Sequence, residues 1–279
     1  MEAKSTFLNP EKSWWLSLFL FSASLLFLYH PILEKLVYDW WHDPNYSHGI
    51  LLPLFSGYLI WQKRGELLTH PLKASWWGLL VVGVGLLFLL LGWVAGEQFT
   101  QRVSFLVVLY GGLIFLLGWP VARKLAFPVG ILLLAIPIPY VIYNTLTFPL
   151  KLLATKMATS LLQSIGLSVY RDGNIIVLPN TTLEVVDACS GIRSLISLLA
   201  ICVILAYFVR RPLWKLLFVL ASVPVAIGVN VLRIFVTGIL SYKFGAEAAE
   251  GFFHTFSGLA VFTLSLILVF LIYHLVKDR

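Results

Sequence analysis

Unbroken apolar runs constrain this chain more than any other feature. Leu79 to Leu91 presents Leu, Val, Gly and Phe on every helical face. Comparable runs of about 15 to 25 residues recur, enough to cross a hydrocarbon core of about 30 Å as α-helices. A membrane β-barrel is excluded, because its strands would alternate apolar and polar residues with period two. A water-soluble globule is excluded as well: of 279 residues, 59% are hydrophobic and 12% charged, against about a quarter charged in a soluble domain. The net charge of +7 is explained by membrane topology, without a nucleic-acid partner.

The sequence predicts an all-α polytopic membrane protein in which residues 1–279 form one domain. Apolar segments fall at about 14–33, 49–61, 76–95, 103–119, 125–143, 189–209, 213–240 and 253–276, which gives about eight spans. The first lacks a small-residue cleavage site and reads as a retained anchor. With the N-terminus inside, 12 of the 20 basic residues are cytoplasmic, among them Lys63, Arg64, Arg123, Lys124, Arg210, Arg211 and Lys215. Most acidic residues then lie outside, together with Lys35, Arg102 and Arg171. This bias places both termini in the cytoplasm.

The connection at 144–188 differs from a simple loop. In Pro149 to Ile165, Leu150, Leu153, Ala154, Met157, Leu161 and Leu162 recur at helical spacing, which predicts an amphipathic helix in the outer interface. The period then changes. Arg171-Asp172-Gly173-Asn174 and Pro179-Asn180 punctuate short β-prone runs, which predicts a small β-hairpin or meander before the sixth span. Such backbone must be packed on protein outside the hydrocarbon.

Three residues on three helices reach one depth by this reading. Cys189 opens the sixth span at its outer end. Arg233 lies about 20 residues, hence about 30 Å, beyond the inner start of the seventh. His254 opens the eighth. An Arg inside an apolar helix is costly and marks function by default, and Asn230 and Thr237 flank it at helical spacing. The other cysteine, Cys202, is 13 residues from Cys189 along one helix. That separation of about 20 Å forbids a disulfide between them. Cys189 is then a lone thiol facing an oxidising compartment, whereas Cys202 reads as a packing residue. A thiolate, a guanidinium and an imidazole suit covalent acyl transfer: the thiol attacks, Arg233 holds thiolate or oxyanion, and His254 moves the proton. Arg193, one helical turn after Cys189, is an alternative anion holder or a structural or substrate-carboxylate contact. His42, Asp43 and His48 in the first outer loop are a weak metal signal, and the reading assigns no metal or cofactor.

Ala188-Cys189-Ser190-Gly191-Ile192-Arg193 after a strand-rich segment, Asn230-Val231-Leu232-Arg233-Ile234, His254 at the last span and Tyr46-Ser47-His48-Gly49 together resemble the exosortase/archaeosortase family of membrane transpeptidases. The resemblance covers nearly the whole chain. It implies a catalytic set of Cys189, Arg233 and His254, with Ser190, Arg193, Asn230 and His48 in substrate-binding or supporting roles. It also implies substrates that are secreted proteins ending in a Pro-Glu-Pro type (PEP-CTERM) signal, cut at the periplasmic face of a bacterial inner membrane and passed to an envelope acceptor. His as the third member is similar to the bacterial branch, and the C-terminal domain of exopolysaccharide-associated members is not expected after Arg279. The competing expectation is a transporter or channel with Arg233 as an anion site, against which the chain shows no repeated broken helices.

Overall fold

The computed structural model describes residues 10–69, 73–185, 192–245 and 251–279. The chain is mostly helical: α1 (Pro10–His42), α2 (Leu51–Gln62), α3 (Arg64–Leu68), α4 (Trp77–Val94), α5 (Gln98–Leu117), α6 (Trp119–Gly130), α7 (Tyr140–Ser164), α8 (Ile192–Ala206), α9 (Pro212–Phe244) and α10 (Gly251–Val276). Three short strands, β1 (Tyr170–Asp172), β2 (Ile175–Val177) and β3 (Thr182–Glu184), separate α7 from α8. The contacts divide into two compact units, Met1–Pro139 and Tyr140–Arg279.

Among the described residues, five helices are long and apolar enough to cross a membrane: Trp15–His42, Trp77–Val94, Gln98–Leu117, Pro212–Phe244 and Phe256–Val276. A sixth is added if Trp119–Ala135 and Tyr140–Ser164 count as one broken span. The expected eight are therefore not reached by length and composition. The second expected span is only the 12-residue α2, the sixth yields the 15-residue α8, and the fifth is broken. Prolines break it: Pro128 sits in α6, a 3-10 turn comes next at Ile131–Ala135, and Pro137 and Pro139 end regular structure.

Broken backbone inside a membrane protein must find partners in protein, and here they come from the first unit's own side chains. Pro128 has no N–H for the carbonyl of Lys124 four residues back. Lys63 Nζ donates to that carbonyl instead, at 3.2 Å. Ser56 Oγ donates to the Pro128 carbonyl at 2.7 Å, Trp40 Nε1 to the Ala135 carbonyl at 2.7 Å, and the Ile138 N–H to Tyr46 Oη at 3.0 Å.

The rest of the first unit is a packed trio of α1, α4 and α5. Gly78, Gly85 and Gly92, seven residues apart, bury the α4 face that meets α5. A Cβ on Gly85 would lie 2.6 Å from Val108 Cγ2, so only glycine permits this approach. Tyr29 of α1 is fully buried, and its hydroxyl lies 3.0 Å from Ser104 Oγ of α5. Because Ser104 spends its own proton on the Gln101 carbonyl at 2.6 Å, Tyr29 is the donor.

In the second unit the expected hairpin is a three-stranded antiparallel meander, β1-β2-β3. Tyr170 pairs with Val177, and Ile175 with Glu184. Gly173 turns the first connection with φ of +57°, a conformation open to glycine. Ile176, Leu183 and Val185 of this region share one core with Ala154, Ala158 and Leu162 of α7 and with Val231 and Ile234 of α9. The sheet is thus packed on protein, as its backbone requires. The amphipathic helix expected at Pro149 to Ile165 is the later part of the 25-residue α7, and its buried face is not the one the large side chains suggested. Thr147, Ala154, Thr155, Ala158, Thr159 and Leu162 are buried, whereas Leu153, Met157 and Leu161 are exposed. Small residues allow close helix approach, and lipid solvates the large ones as well as a core does.

Candidate functional site

The three last helices pack together, and one hydrophobic cluster fixes their register. Leu198, Cys202 and Ala206 of α8 and the adjoining Val209 meet Phe218 and Ala226 of α9 and Val269 and Val276 of α10. The end of α8, the start of α9 and the end of α10 therefore lie together. The start of α8, the later turns of α9 and the start of α10 gather at the opposite end. Arg233 is 15 residues beyond Phe218, about 22 Å along α9, and belongs to that opposite end. Cys202 is fully buried among apolar neighbours, the packing role expected of it.

Arg233 is half-buried and points across to α10. Its Nε donates to Ser257 Oγ at 3.2 Å, and a Cβ on Gly258 would lie 3.6 Å from its Nη2. Ser257 and Gly258 lie three and four residues after His254, one turn along the same helix. Asn230, one turn before Arg233 on α9, is buried, and Thr237, one turn after it, is half-buried, so this polar stripe faces protein. Val231 and Ile234, about 100° around α9 from Asn230 and Arg233, join the core shared with β2 and β3.

The remaining predicted residues are spread over both units. Arg193 is the second residue of α8 and is half-buried at the end of the unit that carries Arg233. Cys189 and Ser190 lie outside the described residues. His254 has a described helix position in α10.

His48 sits in the first unit, in the 3-10 turn Ser47–Ile50, half-buried and tilted against Tyr46 at 6.3 Å between ring centroids. Burial pushes its imidazole below the ordinary histidine range, against the opposing effect of a hydrogen bond to the Leu134 backbone. Trp40, Tyr46 and His48 thus all grip Leu134 to Ile138, and this segment of the first loop is a brace for the broken span. His42 instead stacks on Tyr38 at 3.9 Å and donates from Nδ1 to the Tyr38 carbonyl at 2.9 Å. Asp43 Oδ1 accepts from the Asn45 N–H at 2.8 Å. Among the described residues no group of three His, Cys, Asp or Glu side chains is placed to hold a metal ion.

Two features escape sequence reading. Ser257 is a partner of Arg233, signalled only by its position one turn after His254. Arg102 and Asp39, expected as loop charges, lie inside α5 and α1 and form an ion pair of 2.5 Å in which Arg102 is 3% exposed.

Residues 40–271 match the transmembrane exosortase family, and this match takes in both units, the first-loop brace and the Arg233 face. The chain belongs to the transmembrane exosortase family. No curated protein and no solved structure matches it. Family membership, several apolar helices and a multi-pass membrane protein are mutually consistent, and exosortases as a family act on sorting-signal substrates.

Proposed function

We propose that this exosortase is a membrane cysteine transpeptidase with Cys189, Arg233 and His254 as its catalytic set. The observation that carries the reading is the Arg233 guanidinium fixed against α10 one turn from position 254, in a chain that matches the exosortase family over residues 40–271.

In this reading the Cys189 thiolate adds to the scissile carbonyl next to the Pro-Glu-Pro type motif, and Arg233 stabilises the oxyanion that forms. The amide C–N bond then breaks, and His254 delivers a proton to the departing amine. What remains is a thioester between Cys189 and the new C-terminus of the substrate. His254 next takes the proton from an acceptor nucleophile of the envelope, whose attack on the thioester carbonyl breaks the C–S bond and releases the Cys189 thiolate. Ser257 acts on this chemistry as a positioning residue: by accepting from Nε it leaves the Nη edge of the fork to face the reacting oxygen. Arg193, Ser190 and Asn230 line or support the same place. His48 keeps a supporting role as a brace of the broken span within the first unit. The site would lie at the periplasmic face of the inner membrane, in a chain of about eight spans with both termini cytoplasmic. The meander would be a roof that keeps water from the thioester. The match to the exosortase family supports this reading over a transporter with Arg233 as an anion site.

The test is processing of a co-expressed substrate bearing the C-terminal signal. Cys189→Ala should insert normally and abolish processing. Arg233→Lys keeps the charge but loses the planar donor array, and should slow processing about 100-fold or more. Ser257→Ala should slow it about fivefold, the worth of one ordinary hydrogen bond of about 1 kcal/mol, with Ser257→Thr restoring the rate. Mass spectrometry of the new C-terminus separates hydrolysis from transfer. Normal processing by the Cys189→Ala protein defeats the proposal.

A further inference from the structure

Between α1, α4 and α5 of the first unit lies a cavity of about 630 Å³. Leu28, Ile32, Leu86, Leu89, Leu90 and Trp93 line its apolar part. Lys35, Gln98, Gln101 and Arg102 line its polar part, with the Arg102 charge offset by Asp39 and Lys35 as the second cation. Gln98, Gln101 and Arg102 sit at the start of α5 and Lys35 in the later part of α1, whereas the apolar lining comes from α1 and α4.

Arg102 is the residue that asks for a ligand. It is 3% exposed, and both of its hydrogen bonds among the described residues leave from one nitrogen. Nη2 donates to Asp39 Oδ2 at 2.5 Å and to Gln98 Oε1 at 3.2 Å. A guanidinium has five N–H donors in a planar fork, so the donors on Nε and Nη1 meet no acceptor among the described residues. Arg102 lines the cavity wall, and a phosphate matches the fork that remains. Lys35, exposed at the same mouth, adds a second cation. Gln101 is already committed, its Nε2 donating to the Gly92 carbonyl at 2.9 Å.

Size decides which apolar group can accompany the phosphate. A spanning helix about 10 Å across and about 30 Å long fills about 2,400 Å³, roughly four times this cavity, so a substrate's transmembrane helix does not fit inside. A single hydrocarbon chain does. We infer that the first unit binds an anionic glycerophospholipid, with its phosphate between Arg102 and Lys35 and one acyl chain along Leu28, Ile32, Leu86 and Leu89. The site lies outside the Cys, Arg and His set, and its test does not depend on processing.

The experiment is native mass spectrometry of the full chain, incubated in detergent with phosphatidylglycerol and phosphatidylcholine of identical acyl chains. One phosphatidylglycerol should be retained in at least fivefold preference. Lys35→Glu should lower its retention about fivefold or more, since one cation near an anionic headgroup is worth about 1 kcal/mol. Leu86→Trp should occlude the chain groove and lower retention of both lipids. Arg102 itself is left intact, because its removal would strand the Asp39 carboxylate. Thermal midpoints in detergent check that each variant is folded, and Lys35→Gln or Leu90→Trp replaces one that is not. Equal retention of the two lipids by the wild type, or wild-type retention of phosphatidylglycerol by either variant, overturns the inference.

Discussion

At the scale of single residues, His48 shows how a motif acquires meaning only when its partners are known. Its sequence neighbourhood suggests a weak metal site or a supporting role near the chemistry, whereas its ring is held against Tyr46 and the Leu134 backbone. Burial holds the folded imidazole neutral to lower pH than in the unfolded chain, where it titrates near about 6.5. In the window below that value the unfolded state binds the extra proton, so this residue makes stability rise with pH and fall on acidification. The expected outcome is a thermal midpoint in detergent that drops from pH 7.5 to pH 5.5 by more in the wild type than in His48→Gln. Equal drops would detach the histidine from the brace. Ser257 teaches the converse: nothing marks it in the sequence until Arg233 is seen to reach α10.

At the scale of elements, the membrane changes which sequence signals can be trusted. Existence of the long helices stems directly from their apolar length, and α1, α4, α5, α9 and α10 are where the hydropathy put them. Buried faces are not legible in the same way, because lipid is as apolar as leucine and packing instead selects small residues. That is why the large apolar side chains of α7 face outward and its Ala and Thr stripe faces in. The expected fifth span was apolar enough, but composition is blind to the carbonyls that Pro128 strands and that Lys63 and Ser56 recover. The α4 glycines give a direct test of small-residue packing. A Cβ at Gly85 meets Val108 at 2.6 Å, whereas one at Gly83 of the same helix meets nothing within 4 Å. Gly85→Ala should therefore destabilise by about 1 to 3 kcal/mol, the usual cost of overpacking. Gly83→Ala should be neutral or stabilising, since alanine is better than glycine in a helix by up to about 1 kcal/mol. Thermal unfolding of both variants in detergent reads the contrast, and equal midpoints would mean that α4 and α5 do not depend on this close approach.

At the scale of the whole molecule, each unit carries its own charge asymmetry. In the first unit Lys63, Arg64, Glu66, Arg123 and Lys124 collect at one end, where Lys124 pairs with Glu66 at 2.9 Å and Lys63 caps the Lys124 carbonyl. Asp39, Glu97 and Arg102 lie at the other end. In the second unit the start of α9 and the end of α10 bring Arg211, Lys215, Lys277 and Arg279 together, with the Arg279 guanidinium 5.4 Å from the Trp214 ring centre. The meander caps the opposite end, where Asn180 donates to the Tyr242 carbonyl at 2.8 Å. Cytoplasmic ends of multi-pass proteins are the basic ones, and the proposed function would accordingly have each basic end inside and the Arg233 end of the second unit outside. Single cysteines introduced at Asp172 and at Lys215, in a chain whose native cysteines are replaced by serine, test this orientation. An impermeant maleimide added to intact spheroplasts should label the first and spare the second, with both labelled after lysis. The reverse pattern would put the Arg233 end in the cytosol, where the proposed nucleophile could not meet exported substrates.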